Sequence, residues 1–242
     1  MIPRLTDPAW TMQHGFFTRE GGVSEGPYAS LNGSSSSADD PSHVTENRRL
    51  VAVELGADDL IGCHQVHGID VAVVDTPWKP GEGPRADALV SRRPGLALVV
   101  ITADCAPVLF AADGIVAAAH AGWRGAVAGV LEATLDAMRQ LGAQDIRACV
   151  GPCIGQDSYE VGADVADRVD PAFLRSGGPQ KWWFDLAGYC AHRLTQAGAA
   201  ASHARADTLA DDRFWSHRRR TLSGGGVIGH QMSAIRNGSV SR

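Results

Sequence analysis

Leu96–Thr102, LALVVIT, is apolar at every position but the last, and no other stretch limits the fold as much. A strand with one wet face alternates apolar and polar residues, so a run that does not alternate reads as a strand buried on both faces. Pro107–Phe110 and Ile115–Ala119 flank the turn Ala112-Asp113-Gly114 as a hairpin would. The period then changes. Val127, Val130, Leu131, Leu135, Met138 and Leu141 recur at steps of three and four, which predicts an amphipathic helix over Gly125–Leu141 with Gly142 as its stop. A helix is also predicted over His43–Leu55, with Val44, Leu50, Val51 and Val53 available for its inner face, and others over Val161–Val169 and Asp185–Ala197. Val71–Val74, Ala88–Val90 and Ile146–Val150 read as further strands, and the serine run at 34–37 as part of a polar surface loop. With no internal repeat and no visible boundary, the chain reads as one α/β domain over residues 1–242.

Composition narrows the classes of partner. The chain has 242 residues and is 44% hydrophobic, enough for a sizeable core. Its 22 basic and 27 acidic side chains leave a net charge of −5, which gives no electrostatic reason to expect nucleic acid or an anionic membrane. Arg218–Arg220 is too short a basic run to change that. No stretch approaches the roughly 18 apolar residues of a membrane span, and MIPRLTDPAW lacks the apolar core of a signal peptide, so a cytoplasmic protein is expected. Five cysteines without framework spacing read as free thiols.

Three segments put a metal-ligand type at the edge of an element: His64-Gln-Val-His67, Thr102-Ala-Asp-Cys105 and Ala118-Ala-His120-Ala-Gly-Trp-Arg124. A thiolate with two imidazoles is a reasonable zinc set that leaves a fourth position for water or substrate. Spacing alone does not choose between His64 and His67, and a lone cysteine or histidine at a strand end is more often core. Gly122 and Gly125 allow close backbone approach, and the start of the following helix, with Arg124, offers N–H groups that suit phosphate.

Together these segments are recognisable. Thr18-Arg-Glu-Gly-Gly-Val-Ser24, Pro27-Tyr-Ala-Ser-Leu-Asn32, Gln65-Val-His-Gly68, Thr102-Ala-Asp-Cys105, His120-Ala-Gly-Trp-Arg-Gly125 and Gly151-Pro-Cys-Ile-Gly155 occur in order. The chain resembles the bacterial laccase-domain family, also called the polyphenol oxidase or peptidoglycan editing factor family, whose members look like purine nucleoside phosphorylases. The resemblance implies a single domain with mixed β-sheets sandwiched between helices, and a zinc site on His67, Cys105 and His120, selecting His67 over His64. It also implies phosphorolysis of adenosine, inosine and methylthioadenosine, and deamination of adenosine, with purine nucleoside and phosphate as partners; it assigns no oligomeric state. The late motifs depart from the family. Asp207-Thr208 stands where Cys-Thr is usual, and Phe214-Trp-Ser-His-Arg-Arg219 where Phe-Phe-Ser-Tyr-Arg-Arg is usual. Gly229-His230-Gln231 replaces Gly-Arg-Gln, and Gly33-Ser34 replaces Leu-Gly. These exchanges bear on substrate preference and leave the three ligands intact.

Copper oxidation is disfavoured, because the nine histidines include no His-X-His pair of the kind that bridges adjacent coppers. Two other readings use the same residues. A metal-free cysteine hydrolase or deamidase needs Cys105 and His120 but not His67. A metal-stabilised binding protein for a nucleotide or cell-wall precursor needs a fourth protein ligand. For the favoured enzyme, Asp104 is the candidate proton carrier or partner to a ligand, and Arg19, Arg48 and Arg124 are the candidate contacts to phosphate or ribose.

Overall fold

The computed structural model describes residues 1–238. Strands and helices are numbered in chain order. A five-stranded sheet is ordered β1 (Arg4–Leu5), β2 (His14–Phe17), β14 (Gln231–Arg236), β6 (Leu96–Thr102), β3 (Asp59–Ile61), antiparallel except where β3 joins β6. A six-stranded sheet is ordered β13 (Ala200–His203), β9 (Arg147–Val150), β7 (Ala106–Ala112), β8 (Ile115–Ala121), β5 (Ala88–Ser91), β4 (Val71–Val73), with parallel pairs at its two edges. A small antiparallel sheet, β10 (Glu160–Val161), β12 (Lys181–Phe184) and β11 (Leu174–Gly178), lies beside it in sequence.

The two large sheets face each other. In β6, Leu96, Leu98 and Val100 join Leu109, Val116 and Ala118 of the other sheet in one core cluster, while Ala97 and Val99 turn the opposite way. There they meet Val51, Ala52 and Leu55 of helix α1 (Pro41–Leu55). Strand β8 shows the same division. Val116 and Ala118 face the first sheet; Ile115, Ala117 and Ala119 pack on Leu131, Leu135 and Met138 of α3 (Val130–Gln140), beside α5 (Leu186–Gln196). The layers therefore run helix, sheet, sheet, helix. Both sheets are covered on both faces, which is why their strands carry unbroken apolar runs. The expected mixed sheets between helices are present.

Three local expectations need correction. Residues 125–141 are not one helix: α2 (Trp123–Ala128) ends at Gly129, whose φ of 108° lies in the left-handed region, and α3 restarts from it. Val161–Val169 is not a helix either. Val161 pairs with Trp182 in β10, leaving only the four-residue α4 (Ala163–Ala166), so strand pairing overrides the helical spacing. In α1, Val53 is 63% exposed, because the inner stripe runs through Val44, Asn47, Arg48, Val51, Ala52 and Leu55. A last helix, α6 (His217–Leu222), precedes β14 and carries Arg218–Arg220. Among the described residues no helix is long and apolar enough to cross a membrane, and all five cysteines are free.

Candidate metal centre

The alternation that builds the core also aims the site. His120 lies two residues beyond Ala118 on β8 and shares its face between the sheets, at the end of the layer. Cys105 sits in the tight connection from β6 to β7, and His67 in the loop before β4. Their ligand atoms all lie within 4.8 Å of one another. Cys105 Sγ is 4.0 Å from His67 Nε2, and the two imidazoles meet edge to face with centroids 4.7 Å apart. His120 is buried, Cys105 half-buried and His67 exposed, so the group opens on one side. His64 stays out of it; its backbone bridges to Arg85 instead.

Asp87, which the sequence reading did not single out, organises two of these three residues. It precedes β5, and the register that pairs Ala88 with Ala119 sets it opposite His120. Its fully buried carboxylate accepts from His120 Nδ1 at 2.8 Å, leaving Nε2 to face the site. The same carboxylate accepts from the backbone N–H groups of Val66 (3.0 Å), His67 (2.9 Å) and Gly68 (2.7 Å). His67 has a φ of 61°, a left-handed conformation costing a non-glycine residue roughly 1–2 kcal/mol, and the charge-assisted bonds to its loop offset that. Gln65 anchors the loop's other side, exchanging two 2.8 Å hydrogen bonds with the Ile101 backbone of β6. The glycines of the His120 segment fit closely here. A Cβ on Gly122 would stand 3.0 Å from Cys105 Sγ and 3.1 Å from the His67 ring, and one on Gly125 would stand 3.0 Å from the Gly68 carbonyl.

The electrostatics separate Cys105 from the other thiols. Burial opposes its ionisation, but the two imidazoles, His120 foremost, bring its pKa down to about 6. Burial likewise opposes protonation of His120, yet the Cys105 thiolate and Asp87 raise it to about 9. Asp87 itself is buried against its charge, and its N–H donors, His120 first, hold it below the usual carboxylate range. By contrast, burial pushes Cys63 up to about 12 and Cys149 up to about 11, and drives Cys153 and Cys190 up as well. Only Cys105 is set up as a ready thiolate, the form that binds metal or attacks carbon.

Asp104 does not reach toward the ligands. It holds a φ of 86° at the turn before Cys105, and its carboxylate accepts from Thr208 Oγ1 (2.7 Å), Ser216 Oγ (3.0 Å) and the Arg218 N–H (2.6 Å). It thereby binds the start of α6 to the Cys105 turn. Arg219 completes that clamp by donating to the carbonyls of Thr208, Leu209 and Phe214. Asp207, at one of the departures, accepts from the N–H groups of Gly155 and Leu209 and from the Ser158 hydroxyl.

A cavity of about 880 Å³ opens beside the three ligands. Trp123, Arg124 and Tyr159 line one wall; Arg48, Thr102 and the serine loop at 34–37 line another; His217, Arg218, Arg220 and His230 come from the C-terminal segment. Arg124 is exposed, with its guanidinium over the Trp123 ring. Arg48 is buried, donating to the carbonyls of Gly33 and Leu60. Arg19 is not among the lining residues: its Nε donates to Ala29 O and its guanidinium stacks on Trp215.

Residues 13–237 match the family model described as multi-copper polyphenol oxidoreductase laccase. A Deinococcus radiodurans protein named purine nucleoside phosphorylase is 42% identical over 90% of this chain and 88% of its own length. The Escherichia coli purine nucleoside phosphorylase YfiH is 38% identical over 92% of this chain and 96% of its own. The crystal structure of the Neisseria meningitidis protein NMB0706 superposes with a TM-score of 0.86 at 32% identity, covering 98% of this chain and 99% of that one. That of YlmD from Geobacillus stearothermophilus gives 0.84 at 29% identity, covering 98% and 100%.

Proposed function

The chain belongs to the family described as multi-copper polyphenol oxidoreductase laccase, and on that footing we propose that it is a zinc-dependent purine nucleoside phosphorylase of one domain, acting on adenosine, inosine and methylthioadenosine and also deaminating adenosine. The observation that carries the reading is the His67–Cys105–His120 group on the wall of a roomy cavity, in a chain so similar to proteins named purine nucleoside phosphorylase. His67, Cys105 and His120 would hold the ion: one thiolate and two imidazoles are a borderline-soft set suited to zinc, and His120 has its second nitrogen tied to a carboxylate as metal-bound imidazoles do. When bound, zinc supplies Lewis acidity at its open coordination position.

The family's name invokes several coppers. Among the described residues one group alone gathers three or more potential ligands, enough for a single ion. Among the described residues no fourth His, Cys, Asp or Glu joins it, which favours an open catalytic site over a closed structural one. In phosphorolysis a phosphate oxygen bonds to the sugar carbon as its bond to the purine breaks, and the electron pair leaves with the base, which takes a proton. Trp123 and Tyr159 offer rings against which a purine can lie, with Arg124 at the rim. Asp104 serves as a positioning residue, since both carboxylate oxygens are already engaged.

A second reading, a metal-free cysteine hydrolase or deamidase, draws on the depressed Cys105 thiol beside His120. Metal content, and base release from inosine and adenosine with and without phosphate, separate the two. The expected result is stoichiometric zinc, phosphate-dependent base release, and loss of both metal and activity in Cys105→Ala. A chelator-stripped protein that keeps full activity would sink the zinc reading.

A further inference from the structure

The cavity carries an electrostatic imbalance that the metal group does not explain. Among the described residues eight buried side-chain nitrogen or oxygen atoms have no hydrogen-bond partner in the chain, and four belong to residues lining this cavity: Arg48 Nε, Thr102 Oγ1, Arg220 Nε and His230 Nδ1. Arg48 is 8% exposed and Thr102 is 1% exposed. Neither Arg48 nor Arg220 pairs with a carboxylate among the described residues. Asp104 is the one acidic residue lining the cavity, and its oxygens are committed to Thr208, Ser216 and Arg218. A buried guanidinium without a counter-charge is costly, and burial alone draws Arg48 down to about 10. The Gly33 and Leu60 carbonyls satisfy part of that guanidinium, and its Nε is left to meet an anion.

Three of the four atoms come from elements that meet at one end of the first sheet. Gln231 pairs in register with Thr102 on the face between the sheets, whereas Met232 and, by alternation, His230 belong to the face that α1 covers. His230 is itself pinned, its N–H donating to Asn32 Oδ1 and its carbonyl accepting from the Gly33 N–H. Arg48 donates from the same direction to the Gly33 carbonyl, and Arg220 is near enough for its charge to bear on His230. Two guanidinium N–H groups and an imidazole nitrogen that can donate make a set suited to a tetrahedral oxyanion.

We propose that Arg48, Arg220 and His230 form an oxyanion subsite that takes the phosphate co-substrate, on the first-sheet side of the cavity and apart from the Trp123 wall. The identity of the anion as phosphate rests on the phosphorylase reading; the subsite itself rests on the unpartnered donors. His230 is the neutral member of the set, held so by its burial, and a cation in its place would strengthen anion binding.

The test is calorimetric titration of the metal-loaded protein with inorganic phosphate, without nucleoside, beside phosphate and nucleoside KM values for inosine cleavage. Arg220→Gln weakens phosphate binding by about tenfold or more and His230→Arg tightens it several-fold, while the nucleoside KM stays within about twofold. Because Arg48 is interior and its loss can impair folding, the half-buried Arg220 and the gain expected of His230→Arg carry the test. Wild-type protein that binds no phosphate, or variants that shift the nucleoside KM and leave phosphate affinity unchanged, would overturn the subsite. Phosphate that binds and responds to these variants, yet drives no base release, upholds the subsite and removes the phosphorylase reading instead.

Discussion

Asp87 and Asp104 are both buried beside metal-ligand candidates, and they do opposite things. Asp87 turns its carboxylate toward the centre, binding His120 Nδ1 and the N–H groups around His67. Asp104 adjoins Cys105 in sequence but turns away, binding Thr208, Ser216 and the start of α6. One aspartate fixes the ligands; the other fixes the wall that a substrate would meet. Proximity in sequence to a ligand is therefore a poor guide to a carboxylate's role. Strand register is a better one, since it sets Asp87 opposite His120 from 33 residues away.

Removing the charge of each aspartate separates the two roles, and the larger effect belongs to Asp87. Asp87→Asn keeps the shape and loses the charge that orders four N–H donors and fixes the His120 tautomer. Zinc affinity, measured by competition with a chelator, should fall roughly 10- to 100-fold, the range seen when such partners of metal-bound histidines are lost. An unchanged zinc affinity would mean that the His67 loop holds its left-handed turn without Asp87, and the contrast with Asp104 would collapse.

Asp104→Asn should leave zinc binding within about twofold and act on the wall. The Arg218 N–H and two hydroxyls lose a charged acceptor, so α6 loosens, stability drops by about 1–3 kcal/mol and nucleoside KM rises with little change in metal content. Denaturant unfolding and metal analysis on the same preparation check this. Loss of zinc in parallel with loss of stability would show that the turn at Cys105 cannot be uncoupled from α6.

The contrast also marks what the sequence made legible. The centre lies in three short segments that make His120 and Cys105 candidates, and the unalternating Leu96–Thr102 run marks a strand covered on both faces, whereas the mixed sheets between helices were implied by the family resemblance. His67 and His64 remained level because the deciding factor, the backbone cradle on Asp87, is a long-range contact with no local pattern. Asp87 itself reads as an ordinary polar residue before a strand. Gly129 looked like one small residue in a good helix, and only its φ of 108° makes it a break. The wall was least legible, because Thr208, Ser216 and Arg218 meet Asp104 across more than a hundred residues. Arg19 looked like a candidate contact in a glycine-rich loop, yet its side chain is occupied by Ala29 and Trp215.

The smallest expected effect again sets wall against centre, through how each handles charge. At the centre, partners keep Cys105 and His120 ionised despite burial. In the wall, His230 has no such partner, so burial first, and the nearby positive charges after it, depress its pKa to about 4. Above about pH 6.5 its imidazole is neutral in both folded and unfolded chains, and its contribution to stability is complete. Between about 6.5 and 4 the unfolded chain takes up a proton that the folded chain refuses, so stability declines as the pH falls through that window. The loss approaches a limit of about 3 kcal/mol, at roughly 1.36 kcal/mol per unit of displacement. His230→Gln cannot titrate and should lose less, so unfolding curves of the two proteins at pH 7.5, 6 and 5 should diverge progressively on the acid side. Parallel profiles would mean that His230 takes its proton without penalty, and that the wall, like the centre, has a partner for the charge.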